Sequence, residues 1–114
     1  MKLQTILSAA ALAALASTGA LAQGGDPAKG QALFATCAAC HGANAEGMEA
    51  LNAPKLSGQE DWYIIRQLQN FKSGVRGTNP RDTYGMQMAP MAQILPDDQA
   101  MADVAAYIKT LPQQ

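Results

Sequence analysis

Within five residues, Cys37-Ala38-Ala39-Cys40-His41, the chain places both of its cysteines and its single histidine. No other stretch limits so sharply what this chain can fold into. Two thiols three positions apart can each add to one vinyl group of a porphyrin, and an imidazole directly after the second thiol then lies under the metal. The spacing reads as a covalent haem c attachment site, with His41 as proximal axial ligand. Other uses of two cysteines leave the following histidine unexplained. A lone disulfide across so short a loop would constrain the unfolded chain little. A thioredoxin-like redox site calls for alternating strands and helices, and no such pattern surrounds the motif. Structural zinc needs four ligands, and two cysteines with the only histidine make three.

The compartment follows from the N-terminus. Met1-Lys2 supplies a positive charge, an apolar run of Leu, Ile and Ala extends over about residues 3–15, and Ala20-Leu21-Ala22 precedes Gln23. This is the pattern of a secretory signal peptide cut after Ala22. The apolar run is short of the roughly 20 residues that cross a bilayer, so no stable membrane insertion is expected once the signal is removed. Residues 23–114 then form one domain, small enough to depend on a cofactor for part of its stability. With Lys2 gone, seven basic residues face nine acidic ones. That balance, without a Lys/Arg stripe, argues against nucleic acid and points to a partner with a positive docking face.

The mature region reads as mostly helical. Asp26-Pro27 is a helix start, and the first helix is expected from Pro27 to about Thr36, delivering the cysteines at its end. Gly30 and Phe34 share a face, and a glycine in mid-helix implies close approach by another helix. Residues 42–57 form a Gly-, Asn- and Ala-rich loop beside the haem, where Glu46 and Glu49 are read as solvated charges. Ser57 is expected to cap a second helix from about Gln59 to Lys72, ended by Gly74, with Ile64, Ile65, Leu68 and Phe71 inward and Trp62 and Tyr63 as further core. Arg66, Lys72 and Arg76 are expected to face solvent. A breaker-rich loop covers 75–85. Met86, Met88 and Met91, three of the six methionines, follow within six residues. Such a cluster is ordinarily plastic core filling, but beside a haem a thioether is a suitable sixth iron ligand. The last helix is expected from about Asp97 to Leu111, with Met101, Val104, Ala105, Ile108 and Leu111 buried and Pro112 stopping it.

Taken together, these features resemble the class I c-type cytochromes, above all the small bacterial monohaem proteins and the domain repeated in periplasmic dihaem cytochromes c. The resemblance covers nearly all of residues 23–114 and rests on Gly30 and Phe34, Cys37 to His41, and Pro54-Lys55-Leu56-Ser57-Gly58-Gln59. It continues through Tyr63, Gln67, Leu68, Phe71 and Gly74, then Met88 three before Met91, and Ala102-Asp103-Val104-Ala105-Ala106-Tyr107. It implies an all-α class I fold of three main helices and loops around one covalent haem. His41 would be the proximal ligand, with its Nδ1–H held by the Pro54 carbonyl. Met88 would be the distal ligand, with Met86 and Met91 as rivals. Gly30 and Phe34 would meet Tyr107 where the first and last helices cross. Pro96 departs from the family pattern, which often has a serine cap there, so Asp97 or Asp98 is expected to cap instead.

The function implied is that of a periplasmic one-electron carrier, not an enzyme, in a Gram-negative bacterium, exchanging electrons with redox partner proteins. The alternative is a haem-bearing subunit of a larger dehydrogenase or oxidase complex.

Overall fold

The computed structural model describes residues 24–113, so the signal-peptide reading of residues 1–22 lies outside the described residues. Among the described residues there are four helices, α1 Pro27–His41, α2 Asp61–Ser73, α3 Thr83–Ala92 and α4 Asp98–Thr110, and one 3-10 turn at Glu49–Leu51. Among the described residues there is no strand, only one isolated bridge between Met48 and Ala53. None of these helices is long and apolar enough to cross a membrane.

Helix α1 starts where the sequence signals it. Asp26 is the N-cap and accepts a bond from Ala28 N at 2.9 Å, with Pro27 in the first turn. Such a carboxylate satisfies an otherwise orphaned N–H and complements the helix dipole. The helix continues five residues beyond the expected Thr36. Ala38 and Ala39 are strong helix formers, and the Gly42 N–H closes the end on Ala38 O. Cys37, Cys40 and His41 therefore lie on regular helix.

The principal interface is the crossing of α1 and α4. At Gly30 a Cβ would come within 1.9 Å of Asp103 O and 2.9 Å of Tyr107 Cβ, so only glycine lets the two backbones approach this closely. One turn on, Phe34 meets Tyr107 with ring centroids 5.4 Å apart and planes tilted by 53°. Asp103, almost fully buried, accepts bonds from Asp26 N at 2.7 Å and Gln99 Nε2 at 2.8 Å. The start of α1 is thereby tied to the middle of α4. The core under this crossing holds Phe34, Ile64, Leu68, Phe71, Leu95, Met101, Val104 and Ile108. Asp97 caps α4 by accepting from Ala100 N at 2.8 Å.

Three expectations are corrected. Ser57 does not cap α2, which begins at Asp61 with Glu60 as an N-cap that makes no side-chain bond. Ser57 is instead buried in the loop, its backbone N donating to Ala45 O at 3.1 Å. Trp62 and Tyr63 are exposed, not core, because α2 turns Ile64, Leu68 and Phe71 inward, with Ile65 partly buried beside them. The loop expected over 75–85 ends early, because a fourth helix beyond the three expected starts at Thr83 and carries the methionines. Asp82 caps α3 by accepting from Gly85 N, and Pro90 near its end only removes the N–H that would otherwise reach Met86 O.

Candidate haem site

The last turn and a half of α1 brings the chemistry-bearing residues together. Cys37 and Cys40 are both free thiols, Cys37 half-buried and Cys40 exposed. Three apart on a helix, they project from neighbouring positions of one face. Burial pushes the Cys37 thiol above its ordinary value, which keeps it protonated and neutral at physiological pH.

His41 closes the helix and is buried, at 7% exposure. An imidazole taken out of water needs a partner for its polar atoms. It finds one in the Pro54 carbonyl, 2.8 Å from Nδ1. A carbonyl only accepts, so the contact fixes the tautomer with the proton on Nδ1 and leaves the Nε2 lone pair for a metal.

The loop that supplies Pro54 is folded to do so. Gly47 N donates to His41 O at 2.7 Å, which turns the chain back over the end of α1. Ala45, fully buried, accepts from both Leu56 N at 2.9 Å and Ser57 N at 3.1 Å. Glu46 is more than a solvated charge, since its Oε2 accepts from Asn44 N at 2.8 Å and stiffens the turn. These bonds hold the Pro54 strap across the histidine.

All three methionines of the cluster lie on α3. Met86 and Met91 are exposed, whereas Met88 is partly buried against the core, as are Cys37 and Leu56.

Sequence reasoning missed what holds α3. Arg76 is not an idle surface cation. Its Nη2 and Nε donate to Asp82 at 2.8 and 3.2 Å, and its guanidinium lies 4.5 Å over the Phe71 ring. Asp82 also accepts from Gly77 N at 3.0 Å and Gly85 N at 3.1 Å. The Arg76 bonds, then that of Gly77, hold the Asp82 carboxyl below the usual carboxylate range. Lys72, also expected to face solvent, donates to Leu95 O. The readable signals were Asp82 before Thr83, a helix start, and glycine at 77 beside arginine.

A covalent haem fits this donor set. It needs two thiols at this spacing, an anchored imidazole nitrogen and a soft or nitrogen sixth donor, with apolar side chains around them. Leu33, Ala38, Leu56 and Ile65 supply apolar surface against the same cluster as Cys37 and Met88.

An all-α chain whose first helix ends in two free thiols and a buried, carbonyl-anchored imidazole is built as a class I c-type haem domain. The chain belongs to the cytochrome c family, whose model, described as Cytochrome c, matches residues 27–112. This family binds haem c covalently, with iron, and serves electron transfer. Among its relatives is cytochrome c4 of Azotobacter vinelandii, 39% identical over 98 residues that cover 84% of this chain and 46% of that protein. Cytochrome c-554(548) of Halomonas halodenitrificans is 38% identical over 83 residues, covering 73% of this chain and 93% of that protein. The thiosulfate dehydrogenase electron acceptor of Stutzerimonas stutzeri is 42% identical over 76 residues, covering 67% of this chain and 32% of that protein. The chain spans about half the length of the cytochrome c4 proteins it matches.

Proposed function

We propose that this chain is a periplasmic one-electron carrier whose haem is held by thioethers to Cys37 and Cys40 and ligated by His41 and Met88. The observation that carries the reading is the buried His41 with its Nδ1 on the Pro54 carbonyl at 2.8 Å. A histidine held this way presents Nε2 in one orientation, and the acceptor raises its basicity as a ligand. Met88 is favoured over Met86 and Met91 because it alone of the three packs against the cluster that also takes Cys37 and Leu56.

When bound, the haem iron supplies a one-electron couple, and thioether ligation raises its potential. The chain's own residues orient and shield it. The Pro54 strap fixes the imidazole, α1 fixes both thiols, and the buried cluster lowers the local dielectric. Small structural change on electron exchange follows from ligands carried by helices and a bonded strap. Residues 1–22 supply the export signal, which puts attachment and function in the periplasm of a Gram-negative cell. The physiological partners are redox proteins that dock briefly on a small area, as electron-transfer encounters do. An acceptor role for a dehydrogenase is in keeping with the name of the Stutzerimonas relative. No substrate turnover is assigned to the chain.

The test is an absorption spectrum, oxidised and reduced, of protein made in cells that mature c-type cytochromes. The haem is expected to survive acid–acetone extraction, and the weak red-edge sulfur-to-iron band is expected to vanish in Met88→Ala alone. A band that persists in that variant would move the ligand to Met86 or Met91, and a colourless protein would end the proposal. The native size of the red species separates a free carrier from a subunit of a larger complex.

A further inference from the structure

Helix α3 packs on the core through Met88, Ala89 and Ala92 alone. Only Gly85 and Ala92 are fully buried on it, and three large side chains, Tyr84, Met86 and Met91, are exposed. Its position is set by bonds at its two ends, and both sets originate at the C-terminal end of α2. At the near end Arg76, stacked on Phe71 and with Nη1 3.4 Å from Gln67 Oε1, grips both oxygens of the Asp82 carboxylate. The same carboxylate takes the N–H of Gly77, before it, and of Gly85, inside α3. Gly77, at φ +83°, lies so close to α3 that a Cβ would meet Ala89 Cβ and Gly85 O, each at 2.6 Å. At the far end Lys72 donates to Leu95 O, and Gln93 Nε2 returns a bond to Lys72 O at 3.0 Å.

The geometry points to the Arg76–Asp82 clamp as the positioning device that keeps the methionine of α3 on the iron. The inference rests on the proposed methionine ligation. One carboxylate ties a cation carried by the core aromatic Phe71 to the first turn of the helix that bears the ligand. Four N–H donors on two oxygens leave α3 one orientation about its start, and charge-assisted bonds of this kind are both short and directional. Asp82 and Arg76 touch no donor atom of the haem site, so they act through α3.

The experiment uses the full mature haem protein with Asp82→Asn, Arg76→Gln and the double variant. Asparagine remains a good helix cap, so Asp82→Asn removes the charge while keeping α3 started. Arg76→Gln leaves the Asp82 cap itself intact. Heating is followed in the sulfur-to-iron band and in far-ultraviolet circular dichroism on the same sample, and carbon monoxide binding to the reduced protein is timed. Expected is loss of the band at a lower temperature than in the parent, with the helical transition moving less. Carbon monoxide should bind about threefold faster or more, the scale of one partly screened ion pair. The double variant should do no more than either single one, since both cut the same contact. Asp97→Ala, which uncaps α4, should shift both transitions together. The clamp is overturned if the Asp82 and Arg76 variants behave like Asp97→Ala, with carbon monoxide binding at the parent rate. Met88→Ala in parallel separates the two proposals. A band that persists there refutes Met88 as ligand, while the clamp is still read on the α3 methionine that gives the band. A parent without any such band overturns both.

Discussion

Asp82 is the residue whose charge has the most to do. Because Arg76 and the Gly77 N–H favour its ionised form, its carboxyl titrates below the ordinary value of 3.8 when the chain is folded. The folded state therefore binds this proton less readily than the unfolded state, and the stabilisation is fully present above that ordinary value. It is lost as pH falls through the lower folded value. The stability gap between the parent and Asp82→Asn, measured by denaturant titration, should be constant at neutral pH and close below about pH 3.8. A gap that widens with acid would refute the assignment. Asp82 also marks where single residues stop being legible in a sequence. Asp26 and Asp97 announce themselves as caps because each directly precedes a helical pattern. The partnership of Asp82 with Arg76, six residues away, depends on a loop whose path only the folded chain defines. Ser57 misled for the opposite reason. It looked like a cap by type, yet the turn anchored on Ala45 takes its N–H and buries it.

At the scale of elements, α1 and α4 were readable and α3 was not. The first and last helices carry caps, and α4 in addition carries an apolar stripe of ordinary period. Gly30 on α1 further told of a close neighbour. Gly30→Ala should lower stability by about 1–3 kcal/mol, the usual cost of overpacking, because Asp103 O is backbone and cannot swing aside. Thermal or denaturant unfolding reads this, and an unchanged midpoint would mean the helices separate freely. Helix α3 was hidden by Gly85 and Pro90, both breakers by type. Gly85 is needed there because a Cβ would meet the Asp82 carboxylate at 2.1 Å, and Pro90 falls late enough to cost the helix only one bond. The site was legible at its cysteines, histidine and proline, which sit in a compact motif and a short strap. Which methionine packs inward was not, since three within six residues differ only in the rotation of a helix.

For the whole molecule, the haem is expected to act as part of the core. The buried apolar cluster is small, and several large apolar side chains, Met48, Leu51, Met86, Met91 and Ile94 among them, are exposed in the polypeptide. A domain of this size commonly leans on a cofactor for stability. The chain with Cys37→Ala and Cys40→Ala, which can form no thioether, should melt at a much lower temperature and over a broader range than the parent, followed by far-ultraviolet circular dichroism. Equal melting curves would show that the polypeptide is self-sufficient.

The α1–α4 crossing has one more consequence, and it concerns time. A polypeptide made from its N-terminus has its attachment helix complete by residue 41, whereas the surface that closes over Gly30 and Phe34 arrives only with residues 98–110. Pairing the earliest helix with the latest forces the longest loop in the domain to close last. Until then α1 carries its thiols and imidazole without the partner that fixes its first two turns. The contact that locks the finished protein is thus the last to be made, and a chain short of α4 keeps the attachment helix unanchored.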